Sequence, residues 1–182
     1  MLTIVLPGYS LHNKEWAYEV KKNLEPDCKV LVHEWRHWEK PSLSLSLRYE
    51  VDRIKTEIKT EKVNIIAKSV GVAVAMELIP KISSQIERVI LCGIASVDGK
   101  ERKASLKNTL MVLPVERILC IQNEYDKFVI YKDAGKFYHS VEPKIKVISK
   151  PRSDHNYPYF EDFKKFLLYP KYFNLHQKIS VA

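Results

Sequence analysis

An apolar run passes directly into a turn that carries a serine at Ile65-Ile66-Ala67-Lys68-Ser69-Val70-Gly71. Small and apolar residues continue from Val70 to Ile79 and stop at Pro80, a pattern that predicts a buried helix. The segment is therefore predicted to form a strand, a sharp turn and a helix. Such a turn lifts a serine hydroxyl clear of a sheet and points the first N–H groups of the helix towards negative charge that develops there. By itself, the pattern also fits a serine that merely caps a helix.

Five more short apolar runs, rich in Val, Ile and Leu, occur along the chain. Runs of this type are typical of strands that are covered on both faces, as in a parallel sheet. Together with the strand before the serine, they give six predicted strands: Leu2–Leu6, Lys29–His33, Val63–Ala67, Arg88–Cys92, Arg117–Ile121 and Lys144–Ile148.

Helical patterns fill the segments between these runs. Trp16, Val20 and Leu24 recur on one helical face, with Asn13 as the predicted N-cap. Further helices are predicted over Leu47–Ile58, Val70–Ile79 and Lys127–Tyr138, within residues 93–115, and around Phe160–Leu167. This alternation of strands and helices predicts an α/β fold with a doubly wound parallel sheet.

Polar candidates follow other strands at their carboxyl ends, where an open parallel sheet has its ligand crevice. Pro7-Gly8-Tyr9 follows the first strand, Asp126 follows the fifth and His155 follows the sixth. A histidine can take a proton from a serine hydroxyl, and an acid beside it can hold the ring in the right orientation. Glu124 and Asp98 are the alternatives to Asp126.

The chain resembles the α/β-hydrolase superfamily, in which a Gly-x-Ser-x-Gly turn presents the nucleophile and the triad follows the chain order Ser, Asp, His. Ala67 stands where the superfamily usually has its first glycine, so the match to the motif is partial. The resemblance implies that Ser69 is the nucleophile, Asp126 the acid and His155 the general base.

The same resemblance implies a short member without a lid, built as a three-layer α/β/α sandwich around a six-stranded parallel sheet in the order 2-1-3-4-5-6. The loop after the first strand would supply one oxyanion-hole donor from the backbone N–H of Gly8 or Tyr9, and Val70 would supply the second. Residues 93–115 must already hold a helix, which leaves little room for a lid, so an open site is expected.

Three further residues are candidates for substrate binding. Trp35 and Trp38 follow the second strand and could wall a pocket, although packing of the loop against the core is the favoured alternative. His12 follows the loop after the first strand and is expected near the mouth of the site.

Length and composition limit the remaining possibilities. The 182 residues suit one domain over 1–182, with residues 170–182 as a peripheral tail. No apolar run could span a bilayer, and the three cysteines lack metal-binding or disulfide spacing, so a cytoplasmic protein without metal or cofactor is expected. The net charge of +8 is concentrated in residues 135–182, but without a nucleic-acid-binding motif it predicts a solvated basic face.

The predicted function is that of a serine hydrolase that cleaves a small-molecule ester or thioester through an acyl-enzyme, with an amide as an alternative substrate. An acyltransferase with an acceptor other than water would use the same triad. A different class also remains open at this point, namely a non-catalytic binding protein with a hydrolase fold that acts through its basic surface.

Overall fold

The computed structural model describes residues 1–170, in which six strands alternate with seven α-helices. The strands are β1 (Leu2–Leu6), β2 (Lys29–Val32), β3 (Val63–Lys68), β4 (Ile86–Cys92), β5 (Ile118–Asn123) and β6 (Lys146–Lys150). The helices are α1 (Asn13–Leu24), α2 (Arg36–Glu39), α3 (Leu47–Ile58), α4 (Val70–Leu78), α5 (Lys100–Val112), α6 (Tyr131–His139) and α7 (Phe160–Leu168).

All six strands run parallel in one sheet, in the order β2-β1-β3-β4-β5-β6. The predicted fold class and strand order are confirmed. The chain moves from β1 to one edge at β2 and then crosses back to β3, so the winding direction reverses between β1 and β3. Leu6 at the end of β1 lies opposite Ala67 at the end of β3, which brings the two following loops together.

Helices cover both faces of the sheet, because successive side chains of each strand point to opposite faces. On β1, Ile4 packs in a cluster with residues of α3, α4, α5 and α6. The next residue, Val5, packs in a second cluster with residues of α1 and α7. The three predicted α/β/α layers are therefore present.

In the described residues, the connection between β4 and β5 contains no lid, as predicted. That connection consists of a loop, the helix α5 and a short 3₁₀ turn at Val115–Arg117. Among residues 1–170, no helix is both long and apolar enough to cross a membrane.

The starts of two helices differ from the sequence predictions. Asn13 is the first residue of α1, and His12 occupies the N-cap position. The Asn13 side chain bonds to Ser10 and Lys68 instead, so it is not free to cap the helix. Helix α6 begins at Tyr131 rather than Lys127, because the intervening residues form a loop after β5. The predicted tail, apart from Pro170, lies outside the described residues.

A buried ionic cluster fastens β2 to α3. His33 follows β2 and is fully buried, with Nδ1 bonded to Glu57 at 2.8 Å and Nε2 bonded to Glu50 at 2.9 Å. Burial would lower the pKa of His33, but the two carboxylates outweigh it and raise that pKa. Because both ring nitrogens face carboxylates, the cluster favours the charged imidazolium. It lies beside Trp35, whose ring meets His33 edge-on.

Candidate active site

Ser69 occupies the turn between β3 and α4 in an unusual backbone conformation. Its φ is 59° and its ψ is −118°, a region that non-glycine residues rarely adopt. The turn is held from both sides, since the Ser69 N–H donates to the carbonyl of Cys92 at 3.0 Å and the Ser69 carbonyl accepts from the N–H of Val72 at 3.0 Å. The strain of the turn thus falls on the residue that was predicted to be the nucleophile.

Gly71 allows α4 to begin directly against the end of β1. A Cβ atom at this position would lie 2.1 Å from the carbonyl oxygen of Leu6 and 2.8 Å from that of Pro7. No side chain fits there, so glycine is required for this close approach. The contact brings the first turn of α4, with the backbone N–H of Val70, next to the loop that contains Gly8.

Aromatic side chains fix the orientation of that loop. The Nε1–H of Trp35 donates to the carbonyl oxygen of Gly8 at 2.9 Å. Nε2 of His37 and Nε1–H of Trp38 both bond to the carbonyl oxygen of Tyr9, at 2.8 and 2.7 Å. Because the N–H of a trans peptide points opposite to its carbonyl, the bond from Trp35 turns the N–H of Tyr9 to the other side of the loop. An oxyanion-hole donor needs its N–H to be fixed in this way.

Asp126 is buried and accepts three hydrogen bonds. Oδ2 bonds to Nδ1 of His155 at 2.6 Å and accepts from the hydroxyl of Tyr157 at 2.6 Å, while Oδ1 accepts from the N–H of Phe128 at 2.9 Å. Burial alone would raise the pKa of Asp126, but these three bonds outweigh it and hold the pKa below its usual value. The carboxylate is therefore kept ionised beside the histidine.

His155 is oriented by Asp126 on one side of its ring. The other nitrogen, Nε2, is buried and bonds to no other group in the part of the chain that the structure describes. The ring packs edge-on against Phe128, with centroids 4.6 Å apart, and against Tyr157, with centroids 5.7 Å apart. A histidine held in this way has one nitrogen available for proton transfer.

Ser69 and His155 line the same cleft, which has a volume of about 710 Å³ and lies open to solvent. His12 lines it as well, at the position predicted from the sequence. The walls combine aromatic side chains with charges of both signs. The cleft is lined by Tyr9, Ser10, His12, Asn13, Glu15, Trp16, Glu19, Lys68, Ser69, Lys127, Phe128, Asp154, His155 and Asn156.

Lys68 is the charged residue that lies deepest in this cleft. Only 4% of the residue is exposed. Its Nζ donates to Oδ1 of Asn13 at 2.9 Å and lies 5.1 Å from the centre of the Trp16 ring. Burial lowers the pKa of Lys68 to about 8.

A family model described as serine hydrolase matches residues 3–150. The chain belongs to the serine hydrolase family. A search of curated protein sequences gave no match.

Solved structures of two α/β serine hydrolases and an esterase share the fold at low sequence identity. An α-β serine hydrolase homologue from Coxiella burnetii is 14% identical with a TM-score of 0.69, over 92% of this chain and 83% of that one. A lidless α/β serine hydrolase from Xanthomonas campestris is 16% identical with a TM-score of 0.65, over 91% of this chain and 78% of that one. An esterase from Exiguobacterium antarcticum is 13% identical with a TM-score of 0.66, over 96% and 92% of the two chains.

In this serine hydrolase, the two tryptophans that were candidates for substrate binding lie outside the lining of the cleft. Trp35 is fully buried, so it cannot touch a substrate, and its indole supports the loop through the carbonyl of Gly8. Trp38 is half-buried and lies outside the lining of the cleft, where it supports the carbonyl of Tyr9. Both residues therefore support the loop from behind, the arrangement that the packing alternative describes.

The alternatives to Asp126 are placed elsewhere. Glu124 is exposed in the loop after β5. Asp98 lies in a separate surface pocket between α4 and α5. Of the three acids, Asp126 is the one whose carboxylate is bonded to His155.

Sequence reasoning missed the groups that hold Asp126 and His155 in place. Tyr157 donates to Asp126, and Gly93 makes room for its ring, because a Cβ at Gly93 would lie 2.4 Å from it. Asn123 donates from Nδ2 to the carbonyls on both sides of His155, those of Asp154 and Asn156, at 2.8 Å each. A polar residue that ends a buried strand, as Asn123 does, is the signal that could have revealed this clamp.

Proposed function

We propose that this chain hydrolyses a small ester or thioester through an acyl-enzyme on Ser69, with His155 as general base and Asp126 as the acid that orients it. The observation that carries the proposal is the bond of 2.6 Å between Asp126 and His155 in the cleft that Ser69 lines. The strained turn at Ser69 and membership of the serine hydrolase family support the same assignment.

In the first half of the reaction, Oγ of Ser69 attacks the carbonyl carbon of the substrate while Nε2 of His155 takes the hydroxyl proton. The carbonyl π bond opens and its electron pair becomes the oxyanion. When the oxyanion collapses, the bond to the alcohol or thiol breaks, and His155 returns the proton to that leaving group. The product at this stage is an ester between the acyl group and Ser69.

In the second half, water takes the place of the leaving group. His155 removes a proton from the water as its oxygen attacks the acyl carbon, and the second oxyanion collapses by breaking the bond to Ser69. The proton then passes from His155 to Oγ of Ser69, which regenerates the enzyme and releases a carboxylic acid. Asp126 stabilises the imidazolium in both halves and keeps its own charge.

Backbone N–H groups would hold the oxyanion in both halves. Val70 provides the first N–H of α4, which has no acceptor within its own helix. The N–H of Tyr9, turned away from Trp35, would provide the second. The positive end of the helix adds to this stabilisation.

The size of the substrate follows from the shape of the site. Among residues 1–170, no lid covers the cleft, which has a volume of about 710 Å³ and is open to solvent. Long acyl chains gain most from an enclosed apolar tunnel, which this open and partly charged cleft does not provide. Short acyl groups are therefore the better candidates. The three free cysteines are compatible with a reducing compartment such as the cytoplasm, where we place this reaction.

A series of p-nitrophenyl esters from acetate to octanoate tests the proposal. We expect the wild type to hydrolyse the short esters best and the Ser69→Ala variant to lose about a thousandfold or more of that activity. Circular dichroism of the variant checks that it is folded. Equal rates for the two folded proteins would show that Ser69 is not the nucleophile.

A further inference from the structure

Lys68 is a charged side chain that the proposed reaction does not use. It directly precedes Ser69, lines the same cleft and is 96% buried, since its relative exposure is 4%. Its ammonium lies 5.1 Å from the centre of the Trp16 ring and donates one hydrogen bond, to the neutral amide of Asn13. A lysine buried this deeply is ordinarily paired with a carboxylate.

Among residues 1–170, no carboxylate lies within 4.0 Å of the Lys68 ammonium. The two acids that attract it from a greater distance already have partners. Asp126 is bonded to His155, and Asp154 is bonded to Arg152. An ammonium has three N–H donors, so two remain for a group that enters the cleft.

We propose that Lys68 binds a carboxylate of the substrate, so that the preferred substrate is a short ester or thioester that also carries a free carboxylate. The inference rests on the proposed function, because it describes the same cleft. Lys68 and Ser69 line the same cleft, so a carboxylate bound to Lys68 and the carbonyl that Ser69 attacks would belong to one small substrate. The substrate would supply the counter-ion that the folded chain does not provide.

A singly charged carboxylate fits the surrounding charges better than a dianion such as a phosphate. Glu15 and Glu19 line the same cleft and would repel a second negative charge. The charged and titratable groups that line the cleft with Lys68 or act on it from nearby elements are Tyr9, His12, Glu15, Glu19, Cys92, Asp126, Lys127, Asp154 and His155.

The test compares two substrates that differ at one end: the p-nitrophenyl half-ester of adipic acid, which carries a free carboxylate, and its neutral methyl ester. We expect the wild type to show a kcat/KM for the half-ester at least about tenfold higher than for the neutral ester. In Lys68→Met, which keeps most of the side-chain volume, this ratio should fall to about one or below. The ratio within one variant cancels general damage to the site.

Lys127→Met is the matched control, because Lys127 lines the same cleft but is exposed. We expect it to keep the preference for the half-ester. The wild-type preference should also decline as Lys68 loses its proton, above a pH of about 8 in the free enzyme and somewhat higher once a carboxylate is bound.

The outcomes separate this inference from the proposed function. If the wild type cleaves the neutral ester but shows no preference for the half-ester, or if Lys68→Met keeps the preference, the inference is wrong and the hydrolase assignment stands. If neither ester is cleaved in a manner that depends on Ser69, the proposed function itself fails. A terminal phosphonate preferred over the carboxylate would overturn the assignment of the ligand. Should Lys68→Met not fold, Lys68→Gln provides the same comparison.

Discussion

Replacing Tyr157 with Phe removes a single hydroxyl from the support of the proposed triad. That hydroxyl donates to Oδ2 of Asp126 at 2.6 Å, and its oxygen accepts from the N–H of Asn123 at 3.2 Å. Tyr157 is fully buried, and burial together with the neighbouring Asp126 raises the pKa of its phenol far above the usual range. The phenol is therefore neutral and donates its proton to the carboxylate.

The size of the effect follows from these two bonds. A hydrogen bond to a charged group contributes about 1.5–3 kcal/mol, and an unpaired buried N–H costs about 1–3 kcal/mol. The variant no longer buries a hydroxyl, which offsets part of the loss, so we expect the free energy of unfolding to fall by about 3 kcal/mol. For a domain of this size, the melting temperature should drop by about 6–12 °C.

The same change should also affect activity and acid stability. If about half of this free energy is also lost from stabilisation of the transition state through the Asp126–His155 pair, kcat should fall about tenfold with little change in KM. The depressed pKa of Asp126 stabilises the fold above the pKa of the unfolded state, and this contribution disappears as the pH falls through the folded-state pKa. Without the Tyr157 hydroxyl that pKa rises, so acid unfolding should begin at a higher pH.

Thermal melts, urea titrations across the acid range and steady-state kinetics would measure these changes. Tyr18→Phe is the matched control, since it removes a phenol bonded to the carboxylate of Glu34 at the surface, at 2.7 Å. Exposed bonds of this type contribute little, so the control should behave like the wild type. If Tyr157→Phe matches the wild type in melting temperature, kcat and acid unfolding, the hydroxyl does not support Asp126 and the reasoning is refuted.

Three other changes have definite expected results. Gly71→Ala should lower the free energy of unfolding by about 2–4 kcal/mol in urea titrations, because the new Cβ would lie 2.1 Å from the carbonyl oxygen of Leu6. A stability equal to that of the wild type would refute this close approach. Asp126→Asn should lower kcat by roughly a thousandfold while the protein stays folded, because the neutral amide favours the wrong tautomer of the histidine; a tenfold loss or less in ester hydrolysis would argue against a triad. The pKa of His33 is raised in the folded state, so the charged imidazolium stabilises the fold fully below a pH of about 6.5, and this stabilisation is lost as the pH rises through the folded-state pKa. Denaturant titrations should therefore show that the free energy of unfolding declines towards alkaline pH, and that it declines less in His33→Gln.

The fold could be predicted because its signals are local and repeated. Apolar runs covered on both faces alternate with amphipathic patterns, and this alternation leaves few topologies open. Boundaries were less accurate where side chains take part in tertiary contacts. Asn13 has a typical capping side chain, but Lys68 and Ser10 bind it, and neither contact is visible in the local sequence.

The site could be predicted to the extent that its groups follow strands. Ser69, Asp126 and His155 each come after a strand, so their convergence follows from the sheet. Trp35 follows a strand as well, yet its ring turns into the core, because burial of an indole with a bonded N–H is favourable there. Which way a side chain points depends on packing between distant segments, and the sequence pattern alone does not contain that information.

The charge of the cleft could not be predicted either. Lys68 is adjacent to Ser69 in the chain, and a lysine at the end of a strand is ordinarily solvated. The structure instead buries it against Trp16 and Asn13, two residues of α1. The specificity that we infer for a carboxylate depends on this packing.

The most direct measurement of the central claim is covalent labelling with a fluorophosphonate, followed by intact mass and peptide mapping. We expect one adduct on the wild type, located on Ser69, and no adduct on Ser69→Ala. Ser10→Ala is the matched control, because Ser10 lines the same cleft, and it should be labelled like the wild type. Equal labelling of wild type and Ser69→Ala, or an adduct that maps to another serine, would contradict the account.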